Sequence, residues 1–313
     1  MSLIPPADER RKSGDGPSPY FSSLLGLFGG ILAWLTASTL LLKPFLEPLL
    51  GAPGADGTWT SEQMESAQRE LAARPYGPLL FVAPHLVFVV VACTLAFLSR
   101  VSFRNRLALQ PLRLAPGTLL LVALGMLGVQ GLVVSLAPLL GEPSDQLQFL
   151  SELVRRPEPA RALGVGALLV LVPAFCEELF FRGYVQSRLV AVWPPGAAVL
   201  LTSAVFALVH IDAQHMLGVL PIGVYLGWIA WRSGTVWASM LLHALNNLTA
   251  VLLERFAGEG LSAWALWSAT AALLGAGFVG ARRLMHEPAT AETMRLSCEG
   301  LAPPPGDGSA SRA

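Results

Sequence analysis

The sequence predicts an all-α, polytopic membrane protein of about eight transmembrane helices, with its chemistry in the bundle core. Three observations carry that class. Hydrophobic residues make up 53% of the 313-residue chain and charged residues only 13%, against roughly 25% charged in soluble domains. Eight stretches are apolar over about the 20 residues that a bilayer core requires. Basic residues cluster at alternate ends of those stretches.

The stretches run roughly over 20–42, 78–98, 116–140, 162–189, 196–212, 214–231, 235–253 and 262–281. Charges interrupt the fourth, fifth and sixth. A polar tail, 1–19, holds Arg10, Arg11 and Lys12. The apolar run after it lacks an evident small-residue cleavage site, so it reads as an uncleaved first span and not as a signal peptide. Further basic residues follow the even-numbered spans: Arg100, Arg104, Arg106 and Arg113, then Arg188 near the end of the fourth, then Arg232, then Arg282 and Arg283. The positive-inside rule makes these ends, and both termini, cytoplasmic. In a bacterium the membrane would be the plasma or inner membrane. The outer segments also carry basic residues, balanced by acids.

Two outer segments have helical patterns of their own. Thr60 and Gln63 have capping-box spacing ahead of a helix over 61–73. Ser144 can cap a second over 145–155, with Leu147, Leu150 and Val154 along one stripe. Both read as interfacial helices. Residues 286–313, rich in Pro, Gly, Ser and Ala, read as a disordered cytoplasmic tail. The organisation expected is thus a tail 1–19, a transmembrane domain 20–285 and a tail 286–313. Zero net charge gives no argument for nucleic acid. Cys93, Cys176 and Cys298 suggest no disulfide framework.

Charge inside a bilayer costs about 2.5–3.5 kcal/mol per residue even on the mild insertion scale, so the run Pro173-Ala174-Phe175-Cys176-Glu177-Glu178-Leu179-Phe180-Phe181-Arg182 needs a reason. Glu178 and Arg182 are four apart and can pair on one helical face. Glu177 is rotated about 100° away and could point, unpaired, into a polar cavity as a general base toward water. Phe206 and His210 are four apart on the next span, and His243 and Asn247 four apart on the seventh. A lone intramembrane His or Asn is often structural; three spans that each supply a hydrolytic group argue otherwise. With a fourth helix continuing to about Val190, all four groups lie about 12–21 Å from the cytoplasmic helix ends, in the middle of a core about 30 Å thick. A fourth helix stopping at Arg182 would dissolve the constellation.

These motifs resemble the type II CAAX prenyl endopeptidase and bacteriocin-processing family of intramembrane proteases. The family pattern is Glu-Glu-x-x-x-Arg, Phe-x-x-x-His and His-x-x-x-Asn or Asp. It is matched by Glu177, Glu178 and Arg182, by Phe206 and His210, and by His243 and Asn247. The resemblance covers about 104–255. It implies that Glu177 and His210 activate a water for attack on a peptide carbonyl, while His243 and Asn247 hold the oxyanion. Glu178, Arg182 and Phe206 would support them.

Glu177, His210 and His243 could alternatively bind zinc or another divalent metal. The chain has no His-Glu-x-x-His helix, and Glu178 is committed to Arg182, so the ligand arithmetic favours no cofactor. Two non-peptidase readings stand beside this one: a non-catalytic immunity or scaffold protein of the same fold, and an ion-coupled carrier. The expected partners are membrane lipid and a hydrophobic, prenylated or membrane-bound peptide or protein. Oligomeric state is not legible.

Overall fold

The computed structural model describes residues 19–54, 57–99, 101–155, 157–256 and 263–286. Both expected tails therefore lie outside the described residues, apart from Pro19 and His286 at their inner edges. Every regular element among the described residues is helical. Thirteen α-helices follow in order: α1 (Pro19–Leu50), α2 (Ser61–Ala73), α3 (Gly77–Val82), α4 (Leu86–Phe97), α5 (Phe103–Arg106), α6 (Pro116–Leu136), α7 (Asp145–Arg155), α8 (Pro159–Glu178), α9 (Ser187–Val190), α10 (Pro195–Leu208), α11 (Ala213–Ser233), α12 (Val236–Phe256) and α13 (Ala263–His286).

Helices stand at all eight expected span positions; among the described residues, six runs are long and apolar enough to cross a membrane: Ser22–Leu50, Gly77–Phe97, Pro116–Leu140, Arg161–Val190, Ala213–Ser233 and Val236–Phe256. The count of eight is not met by that measure. The fifth position, α10, has 14 residues; at 1.5 Å each that is about 21 Å, short of a full crossing. Many large apolar side chains face outward, among them Leu25, Phe28, Leu32, Phe97 and Leu163. Lipid solvates such a surface; water would not. The protein is an integral membrane protein.

The α6–α13 seam shows how small residues set the approach. A Cβ on Gly277 would lie 2.4 Å from the Gly125 Cα, and one on Gly128 would lie 2.7 Å from the Leu274 backbone nitrogen. Small residues allow such contact, and dispersion between close backbones is what holds helices together in lipid. Backbone cannot swing aside as a flexible side chain can. Gly277→Ala should therefore destabilise the protein by about 1–3 kcal/mol, read as earlier thermal unfolding in detergent. Specific activity of the folded fraction should be unchanged, because the polar cluster described below is built on other helices.

Polar bonds gather the loops into two ends. At one end, the Val236 N–H donates to the Ala108 carbonyl (3.0 Å) and the Thr235 hydroxyl to the Gln110 carbonyl (2.6 Å). Arg232 donates there to the Leu284 carbonyl (3.0 Å), and Arg188 to the Ser22 hydroxyl. At the other end, Gln214 donates to the Leu140 and Glu142 carbonyls, and Arg161 to the carbonyls of Ala73 and Arg74. The capping box of α2 forms as its sequence suggests, with Thr60 and Gln63 bonding reciprocally. The Ser144 hydroxyl accepts from the Leu147 N–H at 3.4 Å. α2 and α7 are joined by Arg69 and Glu152 (3.6 Å), and α7 is tied to α12 by Arg155 and Glu254 (2.6 Å).

Candidate active site

The expected long fourth helix is present. From Pro159 the chain is helical without interruption to Val190, through α8, a π-helical stretch over Leu179–Gln186 and α9. Single π turns inside α-helices frequently mark functional sites. This one follows the two glutamates directly. Every residue of the π stretch is buried, packed by a ring cluster in which Phe180 and Phe181 meet at 5.0 Å, Phe88 and Phe180 at 4.9 Å, and Phe181 and Phe206 at 5.2 Å.

Glu178 and Arg182 form the expected pair, Nη1 to Oε1 at 2.8 Å, with both side chains wholly buried. The guanidinium also donates to the Gly223 carbonyl on α11 at 2.9 Å and lies 4.3 Å over the Phe206 ring. One turn on, Gln186 donates to the Gly227 carbonyl at 2.8 Å. Gly223 and Gly227 expose bare backbone toward this polar ladder; a Cβ on Gly227 would stand 2.7 Å from the Gln186 Oε1. Phe206 thus lies as an aromatic face under Arg182.

The same Glu178 Oε1 lies 3.0 Å from the His243 Nδ1. An ionised carboxylate only accepts, so Nδ1 carries the proton there and the imidazole turns Nε2 toward Glu177. That Nε2 lies 3.9 Å from the Glu177 Oε2. The gap is too long for a hydrogen bond, yet both atoms can bond one small polar group between them.

Glu177 is not the unpaired carboxylate that its helical rotation suggests. It is 5% exposed, and its Oε1 lies 3.2 Å from the Nε2 of His85. His85 stands where the second span breaks: a 3-10 turn over Ala83–His85 separates α3 from α4. The sequence reading missed it because none of the three motifs includes it. An ionisable residue beside a proline, Pro84-His85, inside an apolar span was the available signal.

His210 also departs from expectation. The apolar stretch runs to residue 212, but α10 ends at Leu208. His210 sits in the following turn, with its Nδ1 2.9 Å from the Phe206 carbonyl and its ring edge-on to Phe206 at 5.2 Å. The last carbonyls of a helix lack internal donors, so the imidazole caps the end and keeps Nε2 free. Ile211 then takes φ 64°, which a β-branched residue seldom adopts. His210 lies in electrostatic reach of Glu177 and His243. It also meets His215 of α11, ring centroids 4.7 Å apart.

Asn247 is placed less directly. Its Nδ2 donates to the Leu169 carbonyl at 3.4 Å, and its Oδ1 accepts from the Asn246 Nδ2 at 3.2 Å. Pro173 has no N–H, so Leu169 lacks the donor that a helix normally supplies four residues on. Asn247 fills that role. The Asn246 carbonyl in turn accepts from Gln130 of α6 at 3.1 Å. The structure thus brings Glu177, Glu178, Arg182, Phe206 and His243 into one buried cluster, with the half-buried His210 at its edge and Asn247 one helical turn beyond His243.

Among the described residues, no three or more His, Cys, Asp or Glu side chains are arranged to hold a metal ion. As they stand, Glu177, His210 and His243 do not fit a zinc centre. Cys93 and Cys176 are free.

Residues 159–249 match the family model described as type II CAAX prenyl endopeptidase Rce1-like. No curated protein and no solved structure matches the chain. The resemblance carried by the motifs is borne out over the matched stretch, from the start of α8 into α12, which contains every motif residue. The match supports, at the level of the family, a CAAX-type intramembrane protease. His85 lies outside it.

Proposed function

We propose that this Rce1-like segment is the catalytic core of an intramembrane endopeptidase using glutamate-based, metal-independent hydrolysis. The observation that carries the reading is Glu177 itself. It is a buried carboxylate with histidines from three other segments of the chain around it, and a Glu178–Arg182 pair beside it takes no proton from water.

In this reading Glu177 and His210 take a proton from water as its oxygen attacks the peptide carbonyl carbon. The carbonyl π electrons move to oxygen. His243, held through Nδ1 by Glu178, donates from Nε2 as an imidazolium, and Asn247 donates from Nδ2. Charges then balance, two carboxylates against Arg182 and His243, as a buried cluster requires. For Asn247 to serve, its amide must turn from the Leu169 carbonyl or use its second N–H. On collapse, the C–N bond breaks and the leaving amine takes the proton that Glu177 and His210 received.

The substrate proposed is a hydrophobic, prenylated or membrane-bound peptide or protein. Both termini are assigned to the cytoplasm. Support comes from Arg104, Arg106, Arg113, Arg188, Arg232, Arg282 and Arg283, which belong to the end joined by the Ala108, Gln110, Leu284 and Ser22 bonds.

Metal independence has its own test. Purified protein, exhaustively chelated and analysed for metal, should cleave an internally quenched farnesylated CaaX peptide at the untreated rate. Loss of activity restored by stoichiometric zinc would replace the glutamate mechanism with a metallopeptidase one.

A further inference from the structure

We infer that His85 is a positioning residue of the hydrolytic centre, holding the Glu177 carboxylate so that one oxygen stays turned to the reacting water. The inference rests on Glu177 being the base.

Among the described residues, His85 is the one polar side chain within hydrogen-bonding distance of Glu177, at 3.2 Å from Oε1. The other neighbours are otherwise engaged. Glu178 holds Arg182 and His243, and the His243 Nε2 stands back at 3.9 Å from Oε2. A carboxylate free to rotate about its last bond would present either oxygen to the water. Holding Oε1 fixes Oε2 on the side of His243. General-base catalysis depends on such fixed geometry.

His85 is itself held on several sides. Trp34 of α1 meets the ring edge-on at 6.2 Å and Phe88 does so at 6.5 Å, while those two rings stack on each other at 5.8 Å. The backbone is shaped for the same end. A continuous helix from α3 into α4 would set His85 in a different direction; Pro84 and the 3-10 turn tighten the winding there. Thus two irregular turns, one in each helical run, flank the same carboxylate. The side chains are 12% and 7% exposed, so water does not compete for the contact. Glu177 as the base is ionised and only accepts, so the proton of this contact sits on the His85 Nε2, which donates to Oε1.

This assigns a role to the first two spans, which lie outside the family match. α1 supplies Trp34 and the broken second span supplies His85.

The test uses the full-length protein in detergent and the farnesylated CaaX peptide. His85→Ala should lower kcat by about 10–100-fold, the usual cost of losing a group that orients a reacting one, with KM within about two-fold. His85→Gln can still reach Oε1 with an amide N–H, and should recover most of the lost kcat. Wild-type kcat in His85→Ala would overturn the inference. So would a His85→Gln variant that folds but does no better than His85→Ala.

A second readout needs no activity. In 15N-histidine spectra, the resonance lost in His85→Ala should be the one most shifted by Glu177→Gln. An unmoved resonance removes the contact and the inference with it. A protein that fails to cleave the peptide, yet shows that shift, retains the contact and loses the proposed function instead.

Discussion

Glu177→Gln should reduce kcat on the farnesylated peptide by about 10²–10⁴-fold, the range spanned by general acid–base catalysis, with KM nearly unchanged. The substitution keeps shape and volume and removes the ability to take a proton. Gln can still bond the His85 Nε2, so the ring cluster around Trp34 and Phe88 has no reason to shift. Thermal unfolding should stay close to wild type, which separates a chemical loss from a folding one. His210→Ala tests the same step from α10. If both variants fold and keep the biological effect, the non-catalytic scaffold reading replaces peptidase function. Proton-gradient-dependent flux in reconstituted vesicles would instead favour the carrier reading.

Arg182→Met should cost about 3–5 kcal/mol of stability, the usual penalty for breaking a buried ion pair from one side. Both members of the pair are wholly buried. Met fills much of the volume yet leaves Glu178 with only the His243 Nδ1. It also leaves the Gly223 carbonyl without its guanidinium donor and the Phe206 face without its cation. The double variant Glu178→Gln/Arg182→Met should regain a large part of the loss, because no unpaired charge then remains. Thermal or denaturant unfolding in detergent measures the cycle. Equal destabilisation by the single and double variants would show that packing, and not the ion pair, sets the cost. Activity should fall in both: the double variant takes the carboxylate partner from His243, and the single variant takes from Glu178 the guanidinium that holds it beside His243.

The motif residues were legible because each pair is local. Glu178–Arg182 obeys helical spacing even though the helix turns π immediately after Glu178. The continuation to Val190 followed from a depth argument that joined separate spans. What escaped was non-local or irregular. His85 reaches Glu177 only because Pro84 breaks its helix, and local spacing carries no trace of that contact. The end of α10 at Leu208 depends on Ile211 taking a left-handed backbone, which apolar composition does not announce. Asn247 has the spacing of an oxyanion donor, yet Pro173 on another helix offers it a bare carbonyl. The eight apolar stretches were visible, but hydropathy does not distinguish a full crossing from the shorter α10.

The central claim is that Glu177 serves peptide-bond hydrolysis in the membrane. Its most direct test is mass-spectrometric profiling of protein termini in membranes expressing wild type or Glu177→Ala at equal abundance. A set of new termini, from hydrophobic or lipidated membrane proteins, should be present with wild type and absent with the variant. Identical termini in the two membranes would contradict it.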